Sequence, residues 1–414
     1  MSSSSDLPFA LSADAVQHDA TPSTASTDDA VHPAAPPGVW ASCLLLGIGL
    51  LFSFNVALNL IPFFSEAYGW PEFSYFAALA LTWPSIFVQF LLLPFGHLLT
   101  PFSRIRGSLL GHAVILICLG TVASSSRALG LLLFVCSGVC TAVLEGSLFG
   151  WMSTFPSPRF SQAASTGVAL AGMSATMLQL LLRAAMPGTL AASASAFACV
   201  GVAVLAACVV AHARLAALGA VKAWAVGAVA AAEMAGGAAA CLHALRLMRL
   251  PSASLVLTFV CTFSVFPGLI ATTPYRGPSA QLREPGAWFT LQLLLFGAAD
   301  FGARALAVLS SEGPPPTHRA LFFYALARFS LVLLLSGCAF KWPPSALFGD
   351  ATFCVFVALL AGTGGHLTTL LMMHGHNAVP QKQKEAAGFV LVACLHIGIV
   401  AGSNLALGFE QAQG

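Results

Sequence analysis

Long, uninterrupted runs of apolar residues follow one another from Trp40 almost to the end of the chain, and they constrain the fold more than any other feature. Each run is close to the ~20 residues that a helix needs to cross the hydrocarbon of a bilayer. Barrel strands would instead alternate apolar and polar residues over roughly 10 positions. Hydrophobic residues make up 58% of the chain and charged residues only 8%, with a mean hydropathy of +0.86. The pattern predicts an all-α polytopic membrane protein, because a soluble domain carries about a quarter charged residues.

Breaks rich in Gly, Pro and charge separate these runs, so that eleven transmembrane helices are predicted. The predicted spans cover 41–63, 74–99, 107–124, 128–151, 161–185, 190–212, 254–274, 286–310, 319–339, 347–372 and 386–408.

The gaps between the spans predict the domain organisation. Residues 1–38 are rich in Ser, Ala, Asp, Thr and Pro and are expected to form a disordered tail. The Ala-rich stretch 214–250 is expected to be a cytoplasmic loop with amphipathic helical content, because Lys222 and Glu233 lie within it and one central charge costs roughly 3 kcal/mol of insertion. The flanking parts are then an N-terminal six-helix bundle over 39–213 and a C-terminal five-helix bundle over 251–414.

The basic residues of the short loops predict the orientation, because they concentrate on the cytoplasmic side. With the N-terminus inside, ten Lys and Arg residues fall in cytoplasmic loops and five in outer loops. We therefore expect a cytoplasmic N-terminus, an extracellular C-terminus and, as the default location, the plasma membrane. The net charge of +2 provides no basic field for nucleic acid.

Asp300 and Arg304 are the most informative ionisable residues, because they lie deep in the eighth apolar run and are four positions apart. On a helix they share one face, and charged residues inside a membrane usually face a bundle interior or a watery cavity. A carboxylate accepts from ribose hydroxyls, and a guanidinium donates to ring nitrogens or carbonyls. The pair is therefore predicted to bind substrate, with a structural ion pair as the alternative.

Glu145 is the second acid inside a predicted span. It could bind substrate, act as a protonatable coupling site, or remain a protonated structural acid bonded to a carbonyl. For Arg328, the sequence allows a structural role, such as snorkelling from a helix end, or a functional role.

Three further residues offer contacts for a planar base. Trp83 precedes Pro84 in the second span, where a kink would present its ring, and Phe54 and Asn55 add a ring and an amide in the first span. Packing is the alternative for Trp83. His374 and His376 lack companions for a metal site, and the eleven cysteines show no zinc or disulfide spacing. No phosphate-binding loop, nucleophile elbow or zinc-protease motif occurs, so neither a cofactor nor an enzyme is predicted.

Short motifs occur in fixed order along these spans. The first span contains Gly-Ile-Gly-Leu-Leu-Phe-Ser-Phe-Asn, ending at Asn55, and the fourth contains Glu-Gly-Ser-Leu-Phe-Gly from Glu145. The seventh contains Ser-Val-Phe-Pro-Gly, and the eighth Asp-Phe-Gly-Ala-Arg from Asp300 to Arg304. Leu-Ala-Arg follows in the ninth, Gly-His-Leu in the tenth and Glu-Ala-Ala-Gly in the eleventh. Together they resemble the equilibrative nucleoside transporter family over nearly all of the membrane region.

The chain departs from that family at several motif positions. Ser53 and Phe54 stand where the family has Pro and Trp, and Glu145 stands where it has Gln. Gly297 and Ala303 replace an Asn and a Gly of the eighth-span motif.

The resemblance implies a six-plus-five arrangement of the major-facilitator type, with a central cavity and alternating access. It implies a nucleoside or nucleobase substrate, most simply a purine, with Asp300, Arg304 and Glu145 lining the site. The base would lie against Trp83 and near Glu145, and the ribose would meet the Asp–Arg pair. An ionised Glu145 would favour a cationic substrate or couple transport to protons, so transport is either facilitative or proton-coupled.

Other classes of membrane protein make different predictions. A major-facilitator-type carrier of another small polar or cationic solute would have twelve spans and both termini in the cytoplasm. A receptor or scaffold would need no charges inside the membrane. A membrane enzyme would need a clustered nucleophile and base, which the sequence lacks.

Overall fold

A computed structural model describes residues 36–70, 73–121, 125–186, 190–224, 237–283, 287–311, 314–343 and 348–413. Most of the tail predicted over 1–38, and the centre of the loop predicted over 214–250, lie outside these residues. Every described element of regular secondary structure is helical, so the prediction of an all-α protein is confirmed.

Six long helices make up the N-terminal half. Ser126 starts one of them by accepting a hydrogen bond from the Leu129 amide, which caps the helix end. The helices are α1 (Val39–Ala67), α2 (Phe73–Phe95), α3 (Pro101–Thr121), α4 (Arg127–Met152), α5 (Arg159–Ala185) and α6 (Leu190–Ala217).

The C-terminal half follows a short connecting helix, α7 (Gly237–Leu247). Two of its predicted spans are interrupted. Pro267, which has no N–H to donate, separates two helices of the seventh span, and Arg328 separates two helices of the ninth. The helices are α8 (Arg249–Phe263), α9 (Gly268–Thr272), α10 (Ala280–Arg283), α11 (Ala287–Leu306), α12 (His318–Ala327), α13 (Phe329–Ala339), α14 (Asp350–His374) and α15 (Lys384–Gln413).

Ten helical spans within the described residues are long and apolar enough to cross a membrane. The remaining predicted span, 74–99, corresponds to α2, whose apolar stretch Leu79–Phe95 is shorter. The difference from the predicted eleven is small, and it concerns the length of one helix rather than the architecture.

Close helix packing holds the N-terminal half together. The α1 and α5 helices cross where Gly47 meets the backbone of Ala164 and Gly167 meets that of Leu44. A Cβ at either glycine would collide with the opposite backbone, so these glycines allow the two helices to approach this closely. In the C-terminal half, α11 packs on α14 and α15 packs on α8.

Contacts of α5 with α11 and α14, and of α4 and α2 with α15, join the two halves. We call the end of the bundle at which α3 and α15 begin the α3/α15 end.

Candidate functional site

The Asp300–Arg304 pair lies on α11, where that helix meets the N-terminal half. Arg304 Nε donates to both carboxylate oxygens of Asp300, at 3.0 Å each. The two side chains are 15% and 12% exposed, so the pair is neither sealed in a core nor open to the surroundings. One helical turn between the residues accounts for this geometry, since positions i and i+4 are neighbours on a helix surface.

Residues from two other helices hold Arg304 in place. Its Nη1 donates to Ser165 Oγ on α5 at 2.9 Å, and Ser165 Oγ lies 2.9 Å from Thr369 Oγ1 on α14. The charged pair is therefore connected to both halves of the protein at once.

Gly365 on α14 makes room for the carboxylate. A Cβ at this position would collide with Asp300 Oδ1, so only a glycine allows α14 to lie this close to the ion pair. The sequence presents Gly365 as part of the Gly-His-Leu motif without showing what it faces.

Gln162 lies one turn before Ser165 on α5. Its amide nitrogen donates to the Arg304 carbonyl at 3.1 Å and to Thr166 Oγ1 at 2.9 Å. Its carbonyl oxygen is buried without a hydrogen-bond partner among the described residues. Such a buried acceptor is costly unless something donates to it, so Gln162 is a further candidate for contact with a polar ligand.

Glu145 on α4 faces His396 on α15. Glu145 Oε2 and His396 Nε2 are 3.5 Å apart, and the side chains are 10% and 9% exposed. The Arg304 guanidinium also acts electrostatically on the Glu145 carboxylate. The structure therefore places Glu145 within electrostatic reach of Arg304, and it adds a histidine that sequence reasoning did not select.

The three residues predicted to contact a base lie elsewhere on α1 and α2. Trp83 is 45% exposed and its ring lies 6.3 Å from that of Phe87. Asn55 donates to the Leu51 carbonyl of its own helix at 2.7 Å, and Phe54 is half-buried. None of the hydrogen bonds or ring contacts of these side chains reaches Asp300, Arg304 or Glu145 within the described part of the chain. Their roles in substrate binding stay predictions.

Sequence reasoning missed Gln162, Ser165, Thr369 and His396. A signal existed for the first two, because the polar residues at 162, 165 and 166 lie on one face of the predicted fifth helix. His396 is an ionisable residue inside the eleventh apolar run, which is a signal of the kind that selected Glu145.

A second ion pair closes the α3/α15 end. Arg104 Nη2 and Glu385 Oε1 are 2.5 Å apart, and their side chains are 2% and 9% exposed. Arg104 also donates to the Gly96 carbonyl and lies over the Phe389 ring at 4.9 Å. Glu385 and Phe389 belong to α15, so this cluster fastens the two halves together.

Two hydrogen bonds reinforce this closure. Ser153 Oγ donates to the Lys384 carbonyl at 2.5 Å, and Gln381 Nε2 donates to the Thr154 carbonyl at 3.0 Å. Both bonds join the end of α4 to the beginning of α15.

Arg328 lies inside the C-terminal half and not at a membrane surface. It is 2% exposed, which excludes the snorkelling alternative. Its guanidinium donates to two threonine hydroxyls and two backbone carbonyls, which belong to Thr363, Thr262, Thr258 and Leu360.

His374 ends α14 and His376 lies in the turn that follows, and both are buried. Within the described ranges, no three His, Cys, Asp or Glu side chains are grouped so that they could hold a metal ion.

Solved structures with the same helical arrangement are membrane carriers of the major facilitator superfamily. The proton:xylose symporter XylE superposes with a TM-score of 0.65 at 10% identity, covering 90% of this chain and 88% of that one. The Escherichia coli fucose:proton symporter FucP gives 0.64 at 15% identity, covering 90% and 92%. A FucP structure in the outward conformation gives 0.62, also at 15% identity, covering 91% and 92%. The fold is therefore of the major-facilitator type.

The sequence carries the assignment further. The profile of the "Nucleoside transporter" family matches residues 131–240 and 234–411, which is well over half of the chain. The protein belongs to this family, the equilibrative nucleoside transporters, as its motifs indicate, and is a multi-pass membrane protein.

Curated relatives of this chain carry matching names. Equilibrative nucleotide transporter 8 of Arabidopsis thaliana is 23% identical over 65% of this chain and 66% of its own length. Equilibrative nucleoside transporter 2 of Mus musculus is 27% identical over 40% of this chain, and the human protein of that name is 30% identical over 38%. The matched segments span 37% of the mouse relative and 34% of the human one.

Proposed function

We propose that this protein carries nucleosides or nucleobases, purines foremost, across the membrane by alternating access. Asp300, Arg304 and Glu145 are the proposed substrate contacts. The observation that carries the proposal is the position of the Asp300–Arg304 pair, which lies between the two halves and is bonded to α5 through Ser165.

The chemistry of the pair suits a nucleoside. Each Asp300 oxygen accepts one hydrogen bond from Arg304 and, as a carboxylate oxygen, can accept another from a ribose hydroxyl. Arg304 uses Nε and Nη1 for its bonds to described residues, so Nη2 can donate to a ring nitrogen or carbonyl of the base. A purine offers an additional ring acceptor in its imidazole part, which is the reason for expecting purines first.

The closed α3/α15 end supports alternating access. Separating Arg104 from Glu385 would leave two buried charges without partners unless water reached both. Opening at this end therefore requires the halves to part and the ion pair to become hydrated. A substrate bound at Asp300 and Arg304 would then be exposed to the solution at the α3/α15 end. The similarity to FucP in its outward conformation is consistent with a state closed at one end.

Uptake into proteoliposomes tests the substrate and the site together. Purified protein would be offered a panel of radiolabelled purine and pyrimidine nucleosides and free bases, without ATP. We expect saturable purine nucleoside uptake that Asp300→Ala abolishes, because the ribose contact and the partner of Arg304 are both lost. Glu66→Gln, which removes an exposed acid at the far end of α1, is the matched control and should transport normally.

The panel also discriminates between the open alternatives. Transport of another polar or cationic solute, with no nucleoside flux, would favour a carrier of different substrate. Normal nucleoside uptake by Asp300→Ala would contradict the site assignment even if transport itself is observed.

We also propose a plasma-membrane location with the α3/α15 end in the cytoplasm. The support is the charge distribution, since Arg104, Arg159 and Arg249 all lie near that end. A C-terminal tag should be accessible to antibody on unpermeabilised cells. A tag that is reached only after permeabilisation would overturn the orientation.

A further inference from the structure

The contact between Glu145 and His396 joins two titratable side chains across the interface of the two halves. Glu145 belongs to α4 and His396 to α15, and only 3.5 Å separates Oε2 from Nε2. Each side chain is about a tenth exposed, so the pair is mostly buried but not completely enclosed. If the interface opens during transport as proposed above, two such groups are placed to bind something that one conformation holds and the other releases.

The hydrogen bonding of His396 determines what they can hold. His396 Nδ1 lies 3.0 Å from the Val392 carbonyl, and because a carbonyl can only accept, Nδ1 must carry a hydrogen. In the neutral ring, Nε2 then presents a lone pair towards Glu145 Oε2. An ionised carboxylate facing that lone pair would be repelled. The contact is favourable only when one proton lies on one of the two atoms.

Other charged groups around the pair are already bound to partners. On α11, Arg304 is held by Asp300. On α3, Arg104 is held by Glu385 of α15, and His112 by the Ser108 carbonyl and Thr141 Oγ1.

On the other helices packed against α4 and α15, the charged residues of the described part lie near helix ends. The described part of α2 has no charged residue and faces α4 with Ser85 and Gln89, which donate to backbone carbonyls of α4. The charged residues of α1, α5 and α8 lie at helix ends, as do the charged groups of α7 and of the turns before α15. These residues are Glu66, Arg159, Arg183, Arg249, His243, Arg246, His376, Lys382 and Lys384. Glu145 and His396 are therefore left to share a proton with each other.

We propose that Glu145 and His396 form a proton site, so that one proton enters with each cargo molecule. The proposal rests on the transport function proposed above and adds its energy coupling. The proton enters from the side opposite the α3/α15 end and binds between Oε2 and Nε2 while that end is closed. When α4 and α15 part, the shared position no longer exists, and the proton passes to water on the other side.

A proton gradient across proteoliposomes tests this directly. The membrane potential is clamped, and uptake of labelled adenosine is measured with the outside one pH unit more acidic than the lumen. One-to-one coupling predicts accumulation of about tenfold over the outside concentration, because one pH unit is about 1.4 kcal/mol. A pH dye in the lumen should report acidification when adenosine is added without a pH gradient.

Three variants separate coupling from structure, each scored as the ratio of uptake with the gradient to uptake without it. Glu145→Gln and His396→Gln should bring the ratio to one and abolish adenosine-driven acidification, because neither pair can then exchange the proton. His112→Gln replaces another buried histidine that lies outside the pair, and it should keep the wild-type ratio.

The outcomes distinguish this proposal from the transport function. Adenosine uptake in the wild-type protein that neither responds to the gradient nor acidifies the lumen would overturn the proton site and leave nucleoside transport intact. Absence of flux for every nucleoside would instead refute the transport function. A gradient response that persists in His396→Gln would show that the histidine is only structural.

Discussion

Two buried arginines show how the interface between the halves differs from the interior of one half. Arg304 lies between the halves, where it is bound by the Asp300 carboxylate and by Ser165 from the opposite half. Arg328 lies within the C-terminal half and has no ion-pair partner among the described residues. It is bound only by hydroxyls and carbonyls of α8 and α14.

The difference indicates two uses of the same side chain. The ligands of Arg328 include backbone atoms of packed helices, which cannot leave without taking the helices apart, so Arg328 ties the half together. The partners of Arg304 are side chains that can exchange one bond for another. A guanidinium of the second kind can bind a passing ligand, whereas one of the first kind cannot.

The largest effect should follow the loss of Arg328. Arg328→Ala removes four hydrogen bonds from a charged group, worth about 1.5–3 kcal/mol each when considered singly, and leaves a cavity. We expect little monodisperse protein on size exclusion in detergent. Arg246→Ala, at an exposed position, is the control and should behave as wild type. A well-folded Arg328→Ala protein would remove the contrast drawn above.

Arg304→Lys should affect transport rather than folding. Lysine keeps the charge but cannot form the two Nε bonds and the Ser165 bond together. A loss of about 1.5–3 kcal/mol of charge-assisted hydrogen bonding corresponds to about 10–150-fold in adenosine kcat/KM. The melting temperature should remain close to wild type. A loss of stability as large as that expected for Arg328→Ala would show that Arg304, like Arg328, mainly holds the fold together.

Three glycines on α14 have different neighbours, so alanine substitutions at them allow the two arginine regions to be compared within one helix. A Cβ at Gly365 meets Asp300, one at Gly364 meets the Arg328 guanidinium, and one at Gly362 meets only ordinary contacts. Gly365→Ala should lower adenosine uptake about tenfold, which corresponds to about 1.4 kcal/mol. Gly364→Ala should mainly lower the melting temperature, and Gly362→Ala should change neither. The same response from all three would mean that α14 tolerates or rejects any added methyl group regardless of its neighbour.

Ser165→Ala should give the smallest effect. It removes one hydrogen bond to Arg304 and one contact with Thr369, worth about 1 kcal/mol, so adenosine KM should rise about fivefold. Ser174→Ala, whose hydroxyl bonds only within its own helix, is the control and should leave KM unchanged. A Ser165→Ala protein with unchanged KM would show that Arg304 does not depend on α5 for its orientation.

Much of the fold was predictable because hydrophobicity is a local property. The prediction over 161–185 lies within α5 (Arg159–Ala185), since a run of apolar residues must be helical to satisfy its backbone in lipid. The α2 helix was less predictable, because its apolar stretch is shorter than the prediction over 74–99. The helix breaks at Pro267 and Arg328 were not predicted either, because the hydropathy of a segment does not show where a helix within it is interrupted.

The sequence by itself determined that the chain is a bundle of membrane helices and that Asp300 and Arg304 meet, because four residues make one helical turn. Only the tertiary structure decided that His396 faces Glu145 and that Glu385 reaches Arg104 across 281 positions of the chain. The physical reason is the length scale. Spacing along one helix fixes neighbours on that helix, whereas partners on different helices depend on how every helix between them packs.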